Sequence, residues 1–283
     1  MNVLFGLIFV LGCVLGGYAI AKGNFSVLIQ LPEVIVIGGA AVGSLIIGNP
    51  PKLLASLMKG IMGALAGKGL KRQDYIDLLL LFNDLSTTIR RDGLLAIEND
   101  VEHPHESKVF KKYPKIMGNH EVEHMITDNL RNIISGGIDA IQLDTLLDAQ
   151  IEGAFEEAVE PSHALQNMAD GIPGLGIVAA VEGIIITMGY LAEPPEVIGH
   201  HVAAALVGTF LGVLLCYGFV GPVARALEGK AKEFRSYLLV LKSLIMAVAQ
   251  GSSPQIVREF GRAMIPGDIR PTLQEMEKLT SSK

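Results

Sequence analysis

Residues 172–192 read IPGLGIVAAVEGIIITMGYLA, twenty-one residues in which Glu182 is the one charged side chain. At about 1.5 Å of rise per helical residue such a run crosses about 30 Å, the thickness of bilayer hydrocarbon. Working outward, residues 202–224 form a second apolar run and residues 3–21 a third, while residues 34–48 form a shorter fourth. Leu31 and Pro32 precede that short window and Pro50-Pro51 closes it, so it crosses with local thinning or flanking help. Half of the 283 residues are hydrophobic and only 18% are charged, a composition too apolar for one ordinary soluble domain. The predicted fold is an all-α integral membrane protein. It has four transmembrane helices, a helical cytoplasmic domain between spans 2 and 3, and a helical C-terminal tail.

The cationic side chains set an orientation. Of the 23 Lys and Arg, twelve fall between Lys52 and Arg131, ten between Arg225 and Lys283, and Lys22 alone lies elsewhere. By the positive-inside rule the long middle segment and the tail face the cytoplasm, and four crossings keep both termini there. The chain divides into residues 1–50 as a first transmembrane hairpin, 51–170 as a cytoplasmic helical domain, 171–224 as a second hairpin and 225–283 as cytoplasmic C-terminal helices. The middle segment carries twelve basic against nineteen acidic residues, which is no nucleic-acid footprint. Cys13 and Cys216 both sit in apolar runs and read as buried free thiols rather than a disulfide framework. No Lys or Arg precedes the first apolar run, so it reads as a retained span, not a cleaved signal.

Leu78, Leu81, Phe82, Leu85 and Ile89 recur at the spacing of one helical face, which predicts a helix over residues 75–98 that Gly93 bends or interrupts. Residues 103–119, with Pro104, Pro114 and Gly118, read as loop before helical patterns resume from 122 to 159. After the fourth span Leu227, Ala231, Phe234, Leu238, Leu241, Ile245 and Val248 keep the helical period into the tail. Neither loop nor tail buries its apolar stripe alone, which predicts one shared helical bundle.

The second hairpin gathers the informative residues. Gly176 with Ala180, Ala179 with Gly183, and Ala204 with Gly208 and Gly212 form small-xxx-small rows that let membrane helices approach closely. Asp170, three residues before Pro173, reads as an acidic cap with proline in the first turn of the third span. Pro222 kinks the inner end of the fourth span, where its missing N–H breaks the helical ladder. Thr209 is the one Ser or Thr of that span; its hydroxyl bonds its own i−4 carbonyl or offers oxygen to a passing ion. Glu182 stands near the bilayer centre, where a carboxylate faces a protein interior or water path and is neutral or paired. A structural hydrogen-bonded role and proton handling both remain open for it. Arg90 and Glu98 are eight residues apart, hence on one face if the loop helix persists, and are docking candidates.

His120-Glu121-Val122-Glu123-His124 fits H-E-x-x-H, in which two His one turn apart bind zinc and the Glu activates water. Beyond common acids such as Asp128 it lacks a third ligand, and it reads better as a solvated acidic helix surface. No metal and no cofactor is expected.

The runs Met168-Ala169-Asp170-Gly171-Ile172-Pro173-Gly174-Leu175-Gly176-Ile177-Val178-Ala179-Ala180-Val181, Leu206-Val207-Gly208-Thr209-Phe210-Leu211-Gly212 and Tyr217-Gly218-Phe219-Val220-Gly221-Pro222 resemble the MotA family of flagellar motor stators. Weaker echoes are Gly16-Gly17-Tyr18, Ile133-Ile134-Ser135-Gly136 and Glu259-Phe260-Gly261-Arg262. The resemblance implies a bacterial inner-membrane, multi-pass subunit of a proton channel. It implies a homopentamer around a dimer of MotB that conducts protons and turns the rotor through FliG, with no enzyme activity. It also implies that Pro173 and Pro222 couple ion passage to loop movement, that Ala180 and Thr209 lie beside the ion path, that Asp170 serves stator assembly, and that Arg90 and Glu98 bind the rotor. Sodium-driven relatives resemble this pattern but carry Thr where this chain has Ala180, so protons are the expected ion. Glu182 departs from the pattern and puts a second titratable group near the route. The alternatives are an energiser of the ExbB or TolQ kind, whose members look like three-span proteins, and a membrane zinc protease built on His120, Glu121 and His124.

Overall fold

The computed structural model describes residues 2–67 and 69–281. In chain order the N-terminal helices are α1 (Asn2–Ile20), α2 (Phe25–Leu28), α3 (Leu31–Val34), α4 (Ala40–Gly48) and α5 (Pro51–Leu65). There follow α6 (Arg72–Asp92), α7 (Glu98–Glu102), α8 (Pro114–Met117), α9 (His120–Ser135) and α10 (Ala140–Met188). The C-terminal part contains α11 (Pro195–Leu214), α12 (Gly221–Ala249), α13 (Pro254–Met264) and α14 (Leu273–Ser281). Among the described residues there is no strand. Four helical stretches are long and apolar enough to cross a membrane.

The chain forms two compact units, one of residues 1–69 and 158–230, the other of residues 70–157 and 231–283. In the first, α1 leaves Phe5, Ile8 and Phe9 exposed, a surface that water would penalise and lipid or neighbouring helices would not. The short second window extends backwards: α3, a π-helical segment Ile35–Gly39 and α4 follow without a break, and with α2 the apolar stretch Phe25–Gly48 reaches 24 residues. Pro32 does not stop it, because Pro32 sits in the first turn of α3, where the N–H it lacks would have no partner. Glu33 is thereby carried into the helix. A small apolar core of Ile37, Ala41, Ala169, Ile172, Ala179 and Cys216 binds this stretch to α10 and to the π-helical segment Leu215–Val220.

The third span does not begin at Asp170. Helix α10 is continuous for 49 residues with Pro161 and Pro173 inside it, so the expected cap is a mid-helix residue. There Gln166 Nε2 donates to Asp170 Oδ1 at 2.7 Å, one turn apart. A proline removes only its own backbone bond, and the flanking turns are held by burial of Ala169 and Ile172 and by Ser162 Oγ donating to the Ala224 carbonyl at 3.1 Å.

The second unit surrounds one hydrophobic core in which Tyr75, Leu78, Leu81, Phe82 and Leu85 of α6 meet Leu238, Leu241 and Ile245 of α12. Loop and tail therefore share a core. Leu79 is buried as well, because α13 lies across a second face of α6 and a methyl added to Gly261 would come within 2.7 Å of Leu79. Helix α9 starts where the Asn119 side chain accepts from the Val122 N–H and ends at Gly136, φ +65°. The periodic stretch 122–159 is thus two helices, α9 and the start of α10, divided by a left-handed glycine.

Candidate functional site

Within the first unit α10 and α11 meet through small residues. A methyl added to Gly176 would lie 2.8 Å from the Gly208 carbonyl and 3.0 Å from the Gly212 Cα; one on Gly208 would lie 2.9 Å from the Ala180 backbone nitrogen. Higher up, a methyl on Gly183 would lie 2.7 Å from the Ala205 Cβ. The two backbones approach as closely as glycine allows, so dispersion is gathered along the whole crossing. Gly176, Ala179, Ala180 and Gly183 meet Gly212, Gly208 and Ala205, the last in place of the expected Ala204.

This contact fixes what points outward. Glu182, Thr209 and Val213 are exposed on the chain's own surface, whereas Ala180 lies at the edge of the crossing. Among the described residues none hydrogen-bonds the Thr209 hydroxyl. The back-bond expected of it is made instead by Thr187, whose Oγ1 donates to the Gly183 carbonyl at 2.7 Å.

Glu33 was not legible as a site residue. It is 9% exposed, and its Oε2 lies 2.7 Å from where a Gly208 Cβ would stand. That oxygen is buried with no hydrogen-bond partner. An acid just ahead of an apolar run reads as a boundary; only extending the helix past Pro32 turns it inward.

Pro222 follows the π-helical segment Leu215–Val220, in which the Gly221 N–H reaches the Cys216 carbonyl, five residues back. The widened turn gives the ring of Pro222 the room that an α-helical carbonyl four residues earlier would deny it. An apolar hollow of about 310 Å³ lies beside it, lined by Val3, Leu7, Val10 and Gly218 among others.

In the second unit Arg90 and Glu98 are both exposed, but the helix does not persist between them. Helix α6 ends at Asp92, Gly93 adopts φ +89°, ψ 167°, a conformation essentially closed to residues with a Cβ, and a 3-10 turn over Leu94–Ile97 leads to Glu98 at the start of α7. The eight-residue spacing therefore does not place them on one helical face. In the H-E-x-x-H segment Glu123, not Glu121, points inward: it is buried, with His105 Nε2 3.1 Å from its Oε1, while His120 is 83% exposed. Glu121 lines a surface hollow with His124 and Glu157; burial first and the Glu157 charge second raise its carboxyl above the usual range. Among the described residues no three His, Cys, Asp or Glu side chains are grouped to hold a metal.

Residues 4–93 match the family described as Motility protein A N-terminal, and residues 118–238 the MotA/TolQ/ExbB proton channel family. The chain is 36% identical over 278 residues to Motility protein A of Salmonella typhimurium, spanning 98% of this chain and 94% of that one. It is 37% identical to chemotaxis protein LafT of Vibrio parahaemolyticus, spanning 98% of each. The fold matches a solved chain of C. jejuni MotAB with TM-score 0.78 at 18% identity, covering 96% of this chain and 98% of that one. It also matches one from the flagellar MotAB stator complex of Bacillus subtilis, with TM-score 0.75 at 20% identity, covering 95% and 98%. A long helical chain with four membrane-length apolar stretches, a glycine-tight α10–α11 crossing and this similarity along nearly its whole length belongs to the motility protein A family of MotA/TolQ/ExbB proton channels.

Proposed function

We propose that the chain is the ring-forming channel subunit of a flagellar motor stator, set in the bacterial inner membrane with both termini in the cytoplasm. With a MotB partner it conducts protons and converts the flow into torque on the rotor; it catalyses no covalent step. The observation that carries this reading is a backbone-close α10–α11 hairpin in a chain 36% identical, over 98% of its length, to a motility protein A. Such a hairpin holds its outward residues at fixed positions while a partner helix works against them.

On this reading Ala180, Glu182 and Thr209 face the ion route, and Ala180, which offers no oxygen to a bare cation, favours protons. Pro173 and Pro222 transmit helix movement, and Asp170 serves assembly. Residues 51–170 and 225–283 lie in the cytoplasm, where Arg90 and Glu98 meet FliG. The interrupted helix supports separate contacts for the two, one on each side of the Gly93 break. Five copies surround two of MotB, and the exposed apolar face of α1 meets lipid. Native mass spectrometry of the complex co-purified with MotB tests the assembly: five chains to two are expected, and purification without MotB would overturn the reading.

A further inference from the structure

Helix α1 meets the π-helical segment Leu215–Val220 where Val10 lies against Gly218: a methyl on Gly218 would stand 3.0 Å from Val10 Cγ1. Beside that contact is the hollow of about 310 Å³, lined by Val3, Gly6, Leu7, Val10, Gly218 and Pro222, none of which carries a polar side chain. A methyl on Gly6 would meet nothing within 4 Å, so the gap is open space. It lies on a membrane-length surface: none of the apolar window Val3–Ile20 is buried within the chain, and Phe5, Phe9 and Tyr217, sequence neighbours of the lining residues, are exposed. Arg225 marks one end of the hollow. It is the first Lys or Arg after Arg131 and stands three residues beyond Pro222, on the same side of α12. Its Nη1 lies 3.6 Å from where a Gly221 Cβ would stand, so the guanidinium reaches back one turn towards Pro222. Among the described residues no hydrogen bond or salt bridge holds it, and the acid one turn on, Glu228, has an interaction of its own.

We propose that an anionic phospholipid occupies this site, with one acyl chain in the hollow and its phosphate on Arg225. Water in the hollow would find no side-chain partner, and an empty gap would forfeit dispersion along both helices. A helix of a second copy, about 10–12 Å across with its side chains, is too wide to enter; a hydrocarbon chain is not. A guanidinium offers a phosphate two parallel donors, and basic groups at the cytoplasmic ends of spans select anionic headgroups. The chain lies against Pro222 and Gly218, so a seated lipid fills the space beside the widened turn and props its geometry. The site rests on the channel reading for the bilayer around it and for the orientation that puts Arg225 on the cytoplasmic side, but lipid retention is read without proton flow.

Native mass spectrometry of the detergent-purified complex with MotB, exposed to phosphatidylglycerol or to phosphatidylcholine of matched acyl chains, counts the lipid retained. The expected result is preferential retention of phosphatidylglycerol, up to one molecule per chain. Arg225→Gln should cut that retention about fivefold, the worth of one cation near an anionic leaflet, and leave phosphatidylcholine unchanged; Arg225→Lys should keep most of it. Gly6→Leu, whose side chain grows into the hollow, should lower retention of both lipids, and the ring mass in the same spectra shows whether each variant assembles. Equal retention of the two lipids, retention that neither Arg225→Gln nor Gly6→Leu lowers, or displacement of phosphatidylglycerol by inorganic phosphate overturns the proposal. So does a native ring that retains no lipid, the result expected if a neighbouring copy covers the hollow. Proton flux through the same complex in vesicles separates the two claims. Flux without retained lipid sinks the lipid site and leaves the channel standing, whereas retained lipid without flux sinks the channel reading instead.

Discussion

Gly176 of α10 and Gly212 of α11 meet backbone to backbone: a methyl on Gly212 would lie 2.9 Å from the Gly176 Cα and 3.1 Å from the Ile172 carbonyl. Both obstacles are main chain, so relief requires moving a whole helix rather than rotating a side chain. Gly212→Ala should lower the stability of the purified complex by about 1–3 kcal/mol, the usual range for overpacking. Gly229→Ala, in α12 with open space around it, should raise stability by about 0.5–1 kcal/mol through helix propensity. Thermal melts of the detergent-purified complex with MotB check both; equal shifts for the two variants would contradict the packing account.

Gly93 stands between Arg90 and Glu98 at φ +89°, with no neighbour that a methyl would strike. The penalty for Gly93→Ala is therefore conformational, about 1–3 kcal/mol. Because the chain would relieve it by reshaping the turn, torque should fall while association with MotB persists. Tethered-cell rotation and co-purification measure the two separately.

Pro222→Ala restores a backbone donor where the Leu215–Val220 segment now widens around the ring. The segment should relax towards α-helix and shift the register of the span against α12 by about one residue. Rotation should slow with assembly intact. Unaltered rotation speed would show that the widened turn plays no part in coupling.

Two carboxylates of the second unit give opposite pH signatures. Burial and Glu157 raise Glu121, so the native state binds the proton more tightly than the unfolded chain. Stability is full below the unfolded value of about 4.3 and is lost as pH rises through the native one. Glu121→Gln should therefore stabilise at neutral pH and not at acid pH. Arg262, donating at 2.6 and 2.8 Å, lowers Glu259, whose contribution is present at neutral pH and lost as pH falls through its lowered native value. Glu259→Gln should destabilise at neutral pH, and the difference should fade in acid. Melts across pH decide both signs.

Much of this was legible in the sequence because apolar runs and helical periods report directly on burial. Leu78, Leu81, Phe82 and Leu85, read as one face of a loop helix, are all buried, and the Gly176–Gly212 rows sit in a real crossing. What escaped depended on elements running on where local signals said stop. Asp170 with Pro173 has the composition of a helix start, yet α10 passes straight through because its neighbours are packed. Pro32 looked like a boundary, and so Glu33 was left outside the span that contains it. Arg90 and Glu98 were joined by a spacing rule that Gly93 breaks with one backbone angle. The meeting of Glu33 with Gly208 joins residues from distant parts of the chain, which no periodicity reports.

Proton-driven torque is read out by tethered-cell rotation in a strain lacking its own motility protein A, supplied with this chain and its MotB. Sodium is varied at fixed pH, and the proton-motive force is then collapsed with a protonophore. Rotation is expected to return at a speed that ignores sodium and vanishes with the proton-motive force; rotation that tracks sodium, or none at all with the complex assembled, would overturn proton coupling.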